Sequence, residues 1–390
     1  MGIFSKQKDE KRLMLVFDVG SSSVGGALFE VHKSGVPKII FSVRELIILE
    51  EKIDTDRFLF LTLKSLNIVA SKICVAGFGR PSNIFCVLSS PWYASQTRII
   101  KLEKNVPFLF TSKLADTLIQ KEIALFKEEQ AKTLDIDNKI RPIEFKNIKT
   151  ILNGYTTADP FNKKARKLEM IVLISMSAEQ ILKKMEETIF RHFHSEEVKF
   201  SSFAMVSFAL VRDMFVYQED FLLVDIAGEM TDVSMIKKDI LSDSISYPLG
   251  SNFMIRRMAK SLNCALSEAK SLFSLFKDKH AAESMEKKLE PTINKLKTEW
   301  LKSFQESLFK LSSDISIPST VFVTVDQDLA DFFVDIIKTE QFGQYALTDS
   351  KFKVVFLSPQ ALHGIAAFKD NINRDPFLTI ESVYLNRFIC

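Results

Sequence analysis

Apolar and polar positions alternate in two stretches that share one design. Leu13–Phe17 is a short apolar run of strand formers that ends at Asp18. Gly20, Ser21, Ser22 and Ser23 form a sharp small-residue turn, and Val24–Phe29 returns as a second strand. Gly25-Gly26 within that strand signals a close backbone approach. Far along the chain, Phe221–Ile236 repeats the pattern: an apolar strand runs into Asp225, a turn holds Ala227 and Gly228, and Thr231-Asp232 opens the next strand. Two hairpins of one grammar predict two similar halves facing each other across a cleft.

Elsewhere the spacing predicts strands over Val36–Val43, Lys72–Ala76, Asn83–Ser89, Ile143–Leu152, Leu168–Ser175, Thr320–Val325 and Lys353–Leu357. Helical periods run over Asp56–Ser71, Thr111–Glu129 (with Thr111 as cap), Ser177–Phe193, Ser201–Phe215, Leu266–Phe276 and Asp328–Lys338. Tyr247–Cys264 reads as a strand ending at Gly250, then a helix. Residues 284–312 carry the strongest stripe, from Leu289 to Leu311, with Pro291 placed near the start in a first turn that tolerates it. Asn153-Gly154 is a tight-turn signal. The last segment, Asp375–Cys390, puts Phe377, Ile380, Tyr384 and Phe388 on one helical face and reads as a packed terminal element.

Composition changes this picture little. The chain has 390 residues, enough for two domains, and a net charge of +3 that gives no argument for nucleic acid. Its 4 cysteines, Cys74, Cys86, Cys264 and Cys390, form no CxxC pair, so neither a zinc site nor a disulfide framework is indicated. His192 and His194 fall on opposite sides of a helix, which argues against a metal pair. No apolar run approaches the ~18 residues of a membrane span. The head MGIFSKQKDEKR lacks a signal-peptide pattern, has Lys6 where a myristoylation signal needs Ser or Thr, and reads as a frayed terminus.

The paired hairpins resemble the DxG[ST]-type and DxGG-type motifs of the actin-like ATPase superfamily. The stretch IKTILNGYTTADPFNKKARKLEMIVLISMSAEQI resembles the insertion module of the FtsA and PilM families. The resemblance implies an α/β, actin-like (ribonuclease H-like) two-lobed fold with a strand–helix–strand–strand insertion module. It divides the chain into a first lobe (1–83 and 177–219), the insertion (84–176, opening with Ile84–Leu88), a second lobe (220–357) and a returning segment (358–390). Two helices would cross between the lobes: Ser201–Phe215, through Ala204, Ser207 and Ala209, and Pro359–Ala367.

By the same resemblance, Asp18, Gly20, Ser21, Ser22, Ser23, Asp225, Gly228 and Thr231 would hold the phosphates of ATP. Asp18 and Asp225 would carry the water shell of Mg²⁺, while Asp232 and Glu229 are candidates to orient a water. The adenosine motif departs from the pattern, with Val325-Asp326 after Val321–Thr324 in place of Gly-Gly. A Cβ at each position implies a narrower pocket and weak or lost nucleotide binding, with slow ATP hydrolysis at most. The implied role is an adaptor at the cytoplasmic face of the membrane that meets division or pilus components and self-associates. The segment through Gly250 favours the FtsA-like, cell-division reading. A PilM-like pilus adaptor that captures the cytoplasmic tail of a membrane protein, and a scaffold without nucleotide, remain as alternatives.

Overall fold

The computed structural model describes residues 12–134, 139–194, 197–312, 316–339 and 351–389. The N-terminal head and Cys390 therefore lie outside the described residues. The chain begins with the hairpin β1 (Leu13–Val19) and β2 (Ser23–Glu30), followed by β3 (Lys38–Leu46), α1 (Thr55–Val75) and β4 (Asn83–Leu88). A second unit follows: β5 (Ala94–Phe110), α2 (Ser112–Leu134), β6 (Ile140–Leu152), β7 (Tyr155–Thr156) and β8 (Lys163–Ala178). Next come α3 (Glu179–Phe190), β9 (Val198–Ser202) and α4 (Phe203–Met214). The second hairpin is β10 (Phe221–Ile226) and β11 (Thr231–Lys237), extended by β12 (Ile240–Tyr247). Helices α5 (Ser251–Leu262), α6 (Leu266–Lys277) and α7 (Glu283–Leu311) precede β13 (Thr320–Val325), α8 (Ala330–Thr339) and β14 (Lys353–Phe356). Short β15 (Ala367–Phe368) and α9 (Pro376–Phe388) close the chain.

The two large sheets repeat one topology. The first runs β15-β3-β2-β1-β4-β9 and the second β12-β11-β10-β13-β14. In each, a three-strand antiparallel meander is joined on its first strand by two parallel strands. The smaller sheet, β5-β8-β6-β7, carries α2 on one face through Ile119, Ile123 and Phe126; it has the expected strand–helix–strand–strand order with β5 as its first strand and the two-residue β7 added between β6 and β8 in the chain. Its Asn153-Gly154 turn has positive φ at both residues and links β6 to β7.

Strand alternation sorts the first hairpin's side chains into two layers. Leu15, Phe17 and Val19 face α1 and α3, while Met14 and Val16 face a core that also takes α4 and α9. Phe221 and Leu223 of β10 enter that same core, and Leu222, Val224 and Ile226 face α5, α7 and α8. One hydrophobic layer therefore lies between the two sheets, and the next residue in each inward row is Asp18 or Asp225.

Four expectations are corrected. Ile84–Leu88 belongs to the first sheet, where it pairs in parallel with β1 and β9, and does not open the insertion. Lys72–Val75 is the last turn of α1. Residues 359–366 are turns; the helix that packs with α4 in the layer between the sheets is α9, whose Leu378, Ile380, Val383 and Tyr384 are buried. Pro291 lies inside α7, beyond its second turn. Helix α1 is also long and apolar enough, at 21 residues, to match a membrane span, but its Leu66, Val69, Ala70 and Ile73 are buried against the first sheet.

Candidate ligand cleft

Both hairpin carboxylates face the layer between the sheets, and neither is free. Asp18 is 3% exposed and pairs with Arg44 Nη2 at 2.7 Å. Arg44 sits on β3 directly across β2's Gly25. Its Nε and Nη2 donate to Asp375 at 2.6 and 3.1 Å, and its Nη1 donates to Ser23 Oγ at 2.9 Å. A Cβ on Gly25 would stand 2.8 Å from Arg44 Nη2, so the glycine leaves the room through which the guanidinium reaches Asp18. Asp375 also caps α9, accepting from Leu378 N at 3.1 Å. Burial raises the Asp18 carboxyl above its usual range and the charge of Arg44 opposes it. Burial also works against the charge of Arg44, but Asp375 and Asp18 outweigh it and hold the guanidinium firmly protonated. Glu381 of α9 is fully buried beside them, and burial followed by the Asp18 charge pushes its carboxyl well up.

Across the cleft, Thr324 Oγ1 donates to Asp225 at 2.7 Å. Burial pushes the Asp225 carboxyl well above its usual range, and the charges of Asp232, Asp18 and Asp326 add to the rise.

The turns themselves touch. Ser21 is fully buried, and its Oγ accepts from Glu229 N at 3.0 Å. A Cβ on Gly228 would lie 2.8 Å from the Ser21 carbonyl, so only glycine permits this contact. Gly20 closes its own turn on Ser23, and its carbonyl accepts from Trp92 Nε1 at 3.1 Å. Thr231 is fully buried; its hydroxyl donates to the Leu249 carbonyl at 2.8 Å and accepts from Trp300 Nε1 at 3.3 Å. The N-terminus of α5, which has the polarity to hold an anion, is spent inside the fold. Ser251 N and Asn252 N donate to the carbonyls of Ala227 and Gly228 at 2.9 and 2.8 Å. Gly250 permits this approach, because a Cβ there would meet those oxygens at 2.4 and 2.3 Å.

Of the two water-orienting candidates, Glu229 is held by Arg256 at 2.6 Å and by Asn252 at 2.8 Å. Asp232 is 7% exposed, its carboxyl raised by burial against bonds from Ser246 and Ser90. Arg256 also donates to the Glu50 carbonyl at 2.7 Å, which ties the second hairpin to the first lobe.

Outside the touching turns, a pocket of about 670 Å³ opens between Ser22, Arg44 and Ile48 on one side and Asn252, Lys270 and Lys277 on the other. Of the eight residues assigned to phosphate, Ser22 is the one that lines this pocket. Its hydroxyl points to Asp326 at 3.5 Å. Asp326 does line the pocket, as the departure from Gly-Gly implies, whereas Val325 faces the core of the second lobe and takes no part in narrowing it.

The donor set does not fit a Mg²⁺–nucleotide of the expected kind. A hydrated Mg²⁺ needs carboxylates with free oxygens facing water. Asp18 already has its countercharge in Arg44, Asp225 is half-buried with one oxygen taken by Thr324, and the hydroxyls of Ser21, Ser23 and Thr231 have protein partners. The sequence reading missed Arg44, Asp375, Glu381 and Arg256. The one available signal was Gly25, opposite Arg44 once the meander register is assumed.

The sequence matches no protein-family model, and no curated protein matches it. Among solved structures, the protein in a "PilM-PilN type IV pilus biogenesis complex" superposes with a TM-score of 0.60 at 12% identity, covering 96% of each chain. The chain has the actin-like fold. This actin-like architecture is PilM-like over nearly its whole length, insertion included. More distant superpositions include the ethanolamine utilization protein EutJ of Carboxydothermus hydrogenoformans (TM-score 0.45, 8% identity, 96% of this chain and 89% of that one). Another is a Bacteroides thetaiotaomicron protein with an actin-like ATPase fold (TM-score 0.37, 10% identity, 92% and 95%).

Proposed function

We propose that this actin-fold chain is an adaptor of the pilus-assembly kind, which captures an extended cytoplasmic segment of a membrane protein at the inner face of the membrane. The observation that carries the reading is a groove of about 610 Å³ between the first lobe and the insertion. One wall is β9, the edge strand of the first sheet, whose outer side has no strand partner among the described residues. The other wall is β6, with Pro142, Ile143 and Phe145. An edge strand is a ready template for an added strand, and alternate apolar pockets select its side chains. Phe145, 47% exposed, is the aromatic ring open to such a contact, while Phe85 and Phe200 line the groove from the buried cores of the first lobe. Lys146 and Lys199 line the groove together with Glu186 and Glu197. The likeness to a PilM taken from a complex with PilN supports a peptide as the occupant. The cell-division reading drew on Gly250 and its helix. Gly250 is required by the packing of the second turn, a local need that favours neither process.

The test is a peptide array of the cytoplasmic segments of the membrane proteins encoded in the same genome, with hits measured by fluorescence polarisation. The proposal expects at least one segment to bind and Phe145→Glu to weaken it tenfold or more, about 1.4 kcal/mol. An array without a binder, or binding untouched by Phe145→Glu and Lys199→Glu, would contradict it.

A further inference from the structure

The misfit between the cleft and a divalent cation points to what has taken the cation's place. We propose that Arg44 is a built-in substitute for a metal ion beside Asp18, so that the first-lobe side of the cleft needs no divalent cation. Three independent features carry this. The first is the position: the guanidinium lies between Asp18 on β1 and Asp375 at the start of α9, within 2.7 and 2.6 Å of their oxygens. It thereby joins β1, β3 and the last helix at the point where the two sheets' shared layer meets the cleft. The second is the accommodation: Gly25 stands opposite Arg44, and a Cβ there would lie 2.8 Å from Nη2 and 3.0 Å from Cζ. The backbone is shaped around a guanidinium. The third is the closure of the hairpin tips. The Ser21–Glu229 bond and the Gly228 contact join the two turns directly, residue to residue.

A guanidinium suits this place because it is always charged and presents a planar fork to carboxylates. Its forked bonds to Asp375, with the further bonds to Asp18 and Ser23, are directional in the way that a metal's coordination is. Removing it leaves Asp18 and Asp375 facing each other with no countercharge and a space lined by oxygens. Such a space is what a small divalent cation fills. This inference is independent of whether a peptide docks in the groove.

The experiment is thermal unfolding and calorimetric titration of the full chain with millimolar MgCl₂ or MnCl₂, each with and without ATP. For the wild-type protein, the expected result is no metal-dependent shift of melting temperature and no saturable metal heat. Arg44→Met should melt lower in the absence of metal and regain part of the loss when Mg²⁺ or Mn²⁺ is added. Asp18→Asn combined with Arg44→Met should recover without metal and ignore it. A wild-type protein that Mg²⁺ stabilises, alone or with ATP, overturns the proposal. So does a folded Arg44→Met protein indifferent to both metals. If Arg44→Met does not fold, Arg44→Lys decides: indifference to metal supports the substitute cation, and stabilisation by metal overturns it.

Discussion

Glu144 shows how a single buried charge can join two units of this chain. It is 8% exposed, and its Oε1 accepts from Ser202 N and from Ser175 Oγ, each at 2.9 Å, and from the Ser202 hydroxyl. Ser202 caps α4 in the first lobe and Ser175 lies on β8 of the insertion, so the carboxylate bridges them. Burial raises its pKa above 4.5 despite these bonds, because its Oε2 has no partner. The sign follows from the proton count. Between 4.5 and the higher folded value the native state keeps a proton that the unfolded state has lost, so stability falls as pH rises through that window. Glu144→Gln cannot titrate. Urea denaturation at several pH values should therefore show the difference between variant and wild type growing in favour of Gln as pH rises above 4.5; a constant difference would refute it. Residues of this sort were hidden from the sequence. Arg44 and Asp375 are separated by 331 residues, and no local pattern announces such a pair. What was legible was the space they need: Gly25 for Arg44, and Gly26 for Val69 and Ile73 of α1, whose side chains would lie 2.7 and 2.6 Å from a Cβ there.

At the scale of elements, periodicity located most helices and strands, since each buries a face or both faces of its own residues. The Thr111 cap is present, with Leu114 N donating to its hydroxyl at 3.2 Å. Periodicity failed where the choice of neighbour is non-local, as with β4, which reads equally well as a strand of either sheet. It also failed for α9, whose apolar stripe does not say which layer it enters. Helix α7 shows a third kind of miss. Its inward stripe of Leu289, Ile293, Leu296, Trp300 and Phe304 is as expected, but the helix starts at Glu283, so Pro291 interrupts it. The proline cannot donate to the Lys287 carbonyl, and it is tolerated because it lies on the exposed face, where water can serve that oxygen. Pro291→Ala should restore the bond and stabilise the protein by ~1–3 kcal/mol, since proline is about 3 kcal/mol worse than alanine inside a helix. A higher urea midpoint with unchanged slope is the expected reading. A lower midpoint would contradict it.

For the whole molecule, the sequence pointed to two similar halves and to the cleft between them, but not to the cleft's state. Hairpin grammar is local, whereas closure depends on contacts between turns far apart in the chain, such as Ser21 to Glu229 at 3.0 Å and Arg256 to Glu50 at 2.7 Å. With one apolar layer shared by both sheets and the turns bonded to each other, the lobes form a closed unit. The bonds that join the turns, Ser21 to Glu229 and Arg256 to Glu50, are the ones that opening the cleft would break. The most direct test is the distance between the lobes. Spin labels can be placed at Lys64 on α1 and Lys295 on α7, both exposed, with Cys74, Cys264 and Cys390 changed to serine. Pulsed electron–electron resonance then compares the protein alone, with Mg²⁺ and with Mg²⁺–ATP. The account predicts one narrow distance distribution that is the same in all three conditions; a distribution that shifts or narrows when Mg²⁺–ATP is added would contradict it.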